Sequence, residues 1–210
     1  EFVVYSMLMS AKRYNKGIKN RLLRPFRNYR YITELAGKTV GILGAGNIGS
    51  QIAKRLEAFD MNVIGYDITN APRQHFSKIY TPDNVNDFLQ SSDYIVNCMP
   101  LFKATESLID KHWFDNMKKN VTIVNVGRKQ IFNNSDFLTF LRANKDATAV
   151  LDMFEKYPNP FTNPFRRLSN VLVLPGVTAI SQEINQKLKA LIQENLDRLE
   201  TGKEFLNNIL

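Results

Sequence analysis

The chain has 210 residues and a mass of 24.2 kDa, enough to bury a substantial core as one large domain or two small ones. Apolar residues make up 44% and charged residues 23%, with one cysteine and two histidines, which excludes global disorder, a disulfide framework and a cysteine-rich zinc module and argues against a multi-histidine metal site. The formal net charge is +8, but residues 1–31 carry nearly all of it, so the basic balance describes one segment and not the domain.

That segment holds Lys12, Arg13, Lys16, Lys19, Arg21, Arg24, Arg27 and Arg30 against the single acid Glu1. A basic stretch can bind nucleic acid or an acidic partner. Stacking aromatics are sparse here and no nucleic-acid motif accompanies them, so a solvated linker or an internal contact face is the favoured reading and nucleic acid the disfavoured one. Before it, Phe2-Val3-Val4-Tyr5 and Met7-Leu8-Met9 are strongly apolar. The positive charge follows this run, whereas a signal peptide places it first. A helix buried on several sides, at a domain or subunit interface, is expected. The chain begins with Glu, which points to a piece of a longer protein. No apolar run approaches the roughly 20 residues that span a bilayer, so no membrane partner is expected and the localisation reads as cytoplasmic.

From residue 39 strands and helices alternate. Thr39–Leu43 is an apolar run suited to a buried parallel strand. Gly44-Ala45-Gly46-Asn47-Ile48-Gly49 follows, and Ile48, Ile52, Leu56 and Phe59 then mark one helical face. Residues 62–67 read as the second strand. Residues 82–90 form a short helix, and 94–98 a strand. Ile109, Trp113 and Met117 sit at helical spacing. Residues 121–126 are a strand of mostly β-branched residues. Residues 136–143 are a helix with Phe137, Leu138 and Leu141 inward. Residues 147–151 and 171–174 are strands, and residues 157–170 between them read as a surface loop. Ile184, Leu188, Leu191, Ile192, Leu196 and Leu199 mark a long amphipathic closing helix. This alternation predicts an α/β fold, a Rossmann-type doubly wound parallel sheet with helices on both faces.

The glycine string is informative through its context, with a strand before it, a helix after it and an acid ending the second strand. Gly44 allows the tight turn, Gly46 a close approach to pyrophosphate, and Gly49 close packing of helix on strand. The N–H groups of Asn47 and Ile48 face the anion at the helix start. Asp67 is placed to accept both ribose hydroxyls and would repel a 2′-phosphate, so the expected cofactor is NAD in preference to NADP.

Four further blocks carry a family resemblance: Asn97-Cys98-Met99-Pro100-Leu101 with Thr105 and Leu108-Ile109; Asn125-Val126-Gly127-Arg128-Lys129; Leu151 to Pro158; and Asn170 to Gly176. Their order and approximate spacing resemble the cofactor-binding domain of the D-isomer-specific 2-hydroxyacid dehydrogenases across nearly the whole chain. The resemblance implies three parts: an interdomain helix and basic segment over 1–31, an NAD-binding domain over 32–178, and a C-terminal helix and tail over 179–210 that return to a substrate lobe. It implies a homodimer, and a small 2-keto or 2-hydroxy acid as substrate. It also implies that Pro100, Thr105, Val126, Arg128 and Asp152 line the cofactor pocket.

In such enzymes NADH gives a hydride to a 2-keto acid, an arginine grips the substrate, a histidine donates the proton, and a glutamate orients the histidine. Arg128 matches the arginine. Gly176 stands at the histidine position and Tyr157 at the glutamate position, and Lys129 replaces the family glycine. His75 and His112 are not placed to substitute, and Cys98 has no activating partner. The expectation is therefore an intact dinucleotide site beside an impaired catalytic pair. The alternative is a non-catalytic NAD(H) sensor or partner subunit.

Overall fold

The computed structural model describes residues 1–13, 32–152, 163–174 and 176–207. The basic groups from Lys16 to Arg30, and Tyr157, fall outside these residues. Within them, Lys12 Nζ donates to the Thr33 carbonyl at 3.1 Å and Arg13 pairs with Asp146 at 3.5 Å.

Seven strands form one sheet in the order β3-β2-β1-β4-β5-β6-β7. They are β1 (Thr39–Leu43), β2 (Asn62–Tyr66), β3 (Lys78–Tyr80), β4 (Tyr94–Asn97), β5 (Thr122–Asn125), β6 (Thr148–Leu151) and β7 (Val171–Val173). Every pairing is parallel. The chain reverses its direction of travel across the sheet between β1 and β4, which opens a crevice at the strands' carboxyl ends.

The central strands alternate side chains between two buried faces. Val40, Ile42, Val63, Tyr94, Val96, Val124 and Val150 join one core, with Met7 of α1 (Phe2–Ala11) and Leu56 of α2 (Asn47–Glu57). Leu43, Ile64, Ile95, Ile123 and Leu151 join the other. There they meet α3 (Val85–Ser91), α4 (Lys111–Asn116) and α5 (Asn134–Ala143). Such two-sided burial explains why these strands read as continuous apolar runs. The expected fold is the observed one.

Local chemistry sets the helix ends. Asp110 Oδ1 accepts the Trp113 N–H at the start of α4, and Asn133 Oδ1 accepts the N–H groups of Ser135 and Asp136 at the start of α5. Each cap satisfies donors that a helix leaves orphaned. In α1, Val3, Ser6, Met7, Met9, Ser10 and Ala11 are buried, so this apolar helix packs on the sheet as its composition requires.

Two features differ from the sequence expectation. The edge strand β3 is added beyond β2, too short for its period to register. The described part of the expected surface loop, 163–170, is not a surface loop. Pro164–Arg167 forms a 3-10 turn whose Phe165 is fully buried at 5.5 Å from the Phe137 ring. Asn170, also fully buried, donates through Nδ2 to the carbonyls of Leu141, Asn144 and Ala147 at 3.0, 3.2 and 3.0 Å. Asn and Pro act here as a buried anchor and a turn former.

The chain divides into two compact units, Glu1–Pro175 and Gly176–Leu210. The second contains α6 (Ile184–Glu200), against which its own tail folds: the Leu206 N–H donates to Asn195 Oδ1 at 2.7 Å. Ile184, Leu188, Ile192, Leu196 and Leu199 are exposed along α6. No helix among the described residues is long and apolar enough to cross a membrane.

Candidate functional site

The turn after β1 is built by its glycines. Gly44 takes φ +91°, the left-handed region that glycine enters without a Cβ penalty. A Cβ on Gly49 would lie 2.1 Å from the Gly44 carbonyl oxygen, so only hydrogen fits where α2 closes on the turn. Gly46 is the opposite case, since a Cβ there would meet nothing within 4 Å. That open side is where a ligand approaches. α2 begins at Asn47 and Ile48 with no side-chain cap and no acid in its first turn, which leaves its positive end available to an anion. Ile48 is exposed beside it.

Asp67 follows β2 directly. Its Oδ2 accepts the Ala45 N–H at 3.0 Å and its Oδ1 accepts the Ile68 N–H at 2.8 Å. The first bond ties the acid to the glycine turn. Each carboxylate oxygen keeps a lone pair for a ribose hydroxyl. Two neighbours escaped the sequence reading. Ile68 is 85% exposed next to the acid, an apolar side chain at a strand's carboxyl end. Arg73 Nη2 lies 3.8 Å from Asp67 Oδ2. A basic residue six positions beyond a strand-end acid was the available signal.

A buried amide pair links the ends of β4 and β5. Asn97 Nδ2 donates to Asn125 Oδ1 at 2.8 Å, and the same oxygen accepts the Gly127 N–H at 3.1 Å. Asn97 Oδ1 accepts the Met99 N–H at 3.2 Å, and Met99 abuts Gly44 closely enough that a Cβ on Gly44 would stand 3.3 Å from the Met99 nitrogen. This chain of contacts connects the glycine turn to the turn that carries Arg128. Asn125 Nδ2 is buried without a hydrogen-bond partner.

The remaining expected residues lie along the same carboxyl edge. Thr105 Oγ1 donates to the Pro100 carbonyl at 2.9 Å and accepts the Phe102 N–H at 2.8 Å, which shapes the loop after β4. The Val126 N–H donates to the Asn97 carbonyl at 3.0 Å. Arg128 is exposed and precedes a 3-10 turn at Lys129–Ile131. Asp152 is fully buried just beyond β6, with its N–H on the Asn125 carbonyl at 3.2 Å.

The nucleophile and proton-donor alternatives are occupied elsewhere. Cys98 Sγ–H faces the Leu43 and Gly44 carbonyls at 3.2 and 3.1 Å. Burial, with a smaller contribution from the Asp67 charge, pushes its thiol up to about 12. A thiol so protonated is a poor nucleophile. His75 Nδ1 pairs with Glu57 Oε2 at 2.7 Å, and exposed His112 Nε2 meets Asn86 Oδ1 at 3.1 Å. Among the described residues no cluster of three His, Cys, Asp or Glu could hold a metal. In the second unit Gly176 takes φ +80°.

A cradle open at Gly46, an uncapped helix start and a strand-end carboxylate with free lone pairs together fit a nicotinamide dinucleotide. Residues 4–178 match the model of the D-isomer specific 2-hydroxyacid dehydrogenase, NAD binding domain. The chain belongs to this family.

Relatives of the D-2-hydroxyacid dehydrogenase domain agree. The D-3-phosphoglycerate dehydrogenase of Archaeoglobus fulgidus is 34% identical over 177 residues, covering 84% of this chain and 33% of that protein. The glyoxylate reductase of Thermofilum pendens is 32% identical over 177 residues, covering 81% of this chain and 50% of its own length. The chain thus spans a third to a half of these curated relatives. A D-isomer specific 2-hydroxyacid dehydrogenase from Xanthobacter autotrophicus Py2, solved with NADPH and MES, superposes with a TM-score of 0.87 at 26% identity, covering 100% of this chain and 85% of that one. An NADPH-dependent glyoxylate/hydroxypyruvate reductase from Sinorhizobium meliloti, solved with NADP and sulfate, gives 0.84 at 25% identity, covering 98% of this chain and 65% of that one. The domain's cofactor is a nicotinamide dinucleotide, NAD in the family's description.

Proposed function

We propose that this is the NAD-binding domain of a 2-hydroxyacid dehydrogenase-like oxidoreductase with an impaired acid–base pair. When bound, NADH supplies a hydride for the carbonyl carbon of a 2-keto acid. Gly44, Gly46 and the N–H groups of Asn47, Ile48 and Gly49 seat the pyrophosphate. Asp67 takes the ribose hydroxyls, which favours NAD over NADP. Pro100, Thr105, Val126 and Asp152 line the nicotinamide side. Arg128 grips the substrate carboxylate with its planar fork. The glyoxylate reductase relatives suggest a small keto acid as substrate.

The observation that carries the impaired reading is Gly176. By the family resemblance it matches the proton donor's position in the sequence, and its φ is +80°, a conformation that costs a side-chain-bearing residue about 1–2 kcal/mol. The turn favours glycine over a side-chain-bearing residue. Tyr157 at the orienting position deepens the loss. Removing a general acid lowers turnover roughly 10²–10⁴-fold. The same observation favours a second reading, a non-catalytic NAD(H) sensor or partner subunit. The division into 1–31, 32–178 and 179–210, a homodimer and a cytoplasmic setting belong to this proposal and rest on the family resemblance.

Calorimetric titration with NADH and NADPH tests the cofactor reading: micromolar NADH binding is expected, and its absence refutes it. Keto-acid-dependent NADH oxidation, with glyoxylate and hydroxypyruvate, tests turnover in the full-length gene product. Slow but saturable oxidation lost in Arg128→Ala supports the enzyme, and binding without oxidation supports the sensor.

A further inference from the structure

We propose that the amino edge of the sheet, opposite the glycine turn, holds a second binding site, for a small oxyanion of the size of phosphate or acetate, built on Ser10, Lys38, Thr122 and Thr148. It is independent of the dinucleotide reading above.

The strand register sets Tyr94, Thr122 and Thr148 side by side at the starts of β4, β5 and β6. Two residues further in, on the same face of the sheet, the row is Val96, Val124 and Val150, all fully buried. The outer row is nearly as buried, at most 8% exposed, yet it presents three hydroxyls. Ser10, near the end of α1, meets this row with its Oγ 3.4 Å from Thr122 Oγ1. These side chains line a cleft of about 90 Å³. A water takes roughly 30 Å³ in the liquid, so the cleft has room for a small ion and not for a nucleotide.

Buried hydroxyls call for partners. Ser10 and Thr122 use one hydroxyl proton between them, which leaves the other to donate. The Thr148 N–H donates to the Val121 carbonyl at 3.0 Å, while its hydroxyl, in the cleft wall, has no partner among the described residues. The Tyr94 phenol is held above its ordinary value chiefly by burial and keeps its proton. The charges around the cleft sort by commitment. Asp93 uses both oxygens, Oδ2 on the Thr39 N–H at 2.9 Å and Oδ1 on Lys118 Nζ at 2.8 Å. Asp146 pairs with Arg13 at 3.5 Å and is 67% exposed, so water screens it. Lys38 lines the cleft, is exposed and makes no ion pair among the described residues. The cleft thus offers hydroxyl protons and one uncommitted positive charge. A negatively charged acceptor satisfies both. An apolar ligand would leave the hydroxyls unpaired, and a cation would meet Lys38.

The test is a residue-resolved NMR titration of the isotope-labelled 210-residue chain, with sodium phosphate and sodium acetate as separate arms. Saturable shifts are expected at the amides of Lys38, Thr122 and Thr148, half complete at or below about 1 mM. Phosphate saturating first assigns a tetrahedral oxyanion and acetate saturating first a carboxylate; either supports the site. Thr148→Val keeps the side chain's shape and should weaken the tighter anion about tenfold. Lys38→Gln, at an exposed position, should weaken it about threefold. Both variants should melt no earlier than the parent. Shifts that rise without saturating to about 50 mM, or that spread over exposed lysines, overturn the proposal, as does parent-like affinity in both variants. Shifts confined to Gly44–Gly49 would seat the anion on the glycine turn, which overturns this site and leaves the dinucleotide reading standing. Failure of NADH to bind refutes that reading alone.

Discussion

Gly46 and Gly49 stand three residues apart and carry different constraints. At Gly49 a methyl group collides with the Gly44 carbonyl, so Gly49→Ala forces α2 off the turn. A loss of about 1–3 kcal/mol is expected, as for other overpacked sites, together with loss of NADH binding. At Gly46 the methyl group meets no protein atom within 4 Å and the backbone is extended, with φ −74° and ψ −157°. Gly46→Ala should therefore melt within about 0.5 kcal/mol of the parent and still lose NADH affinity, because the methyl group occupies the pyrophosphate's approach. Thermal unfolding and calorimetry on both variants separate the two roles. Cys98 gives a third residue-scale test. Its thiol, raised by burial to about 12, should resist iodoacetamide at pH 8 in the folded chain and react on unfolding. A raised thiol contributes stability that is complete below the unfolded-state value and lost as pH climbs through the folded one. Alkaline denaturation should thus begin above about pH 9 and move to higher pH in Cys98→Ala.

At the scale of elements, the segment after residue 162 is a structural tie. Phe165→Ala should cost about 3–5 kcal/mol, the usual range for emptying a buried aromatic site. Asn170→Ala removes the amide that three carbonyls share, of which the Asn144 carbonyl keeps a backbone donor, the Ala147 N–H at 3.2 Å, and about 1–3 kcal/mol is expected. Denaturant titration of each measures both. This tie shows where the sequence was legible and where it was not. Val40, Ile42, Val96 and Val124 announce their strands because both faces of a parallel sheet are buried. The glycine turn and Asp67 announce themselves through spacing that the chemistry demands. Asn170 looked like loop composition, because nothing in an asparagine reveals that its amide will find three carbonyls from the end of α5 and the chain leading into β6. The β3 strand has three residues, too few for a period. Arg73 left only a faint signal, its spacing from Asp67, because its meaning comes from a carboxylate that folding brings to 3.8 Å.

Across the whole sheet, parallel strands bring all seven carboxyl ends to one edge, and the candidate residues of the first unit lie along it. Stability resides between the layers and chemistry at the rim, so rim residues can change without weakening the core. Arg128 is exposed, and Arg128→Ala should unfold within about 0.5 kcal/mol of the parent whatever it does to substrate binding. The buried amide pair departs from that division. Gly127 and Met99 belong to loops, yet their N–H groups point inward, to the Asn97 and Asn125 side chains and, for Gly127, also to the Asn97 carbonyl at 2.9 Å. Placed in deuterated water, these two amides should keep their protons as long as the neighbouring strands do, while that of exposed Lys103 deuterates early. The rim would then have a slow-exchanging clasp set between fast-exchanging stretches. The two turns it joins would open together, in the same rare fluctuation that opens β4 and β5.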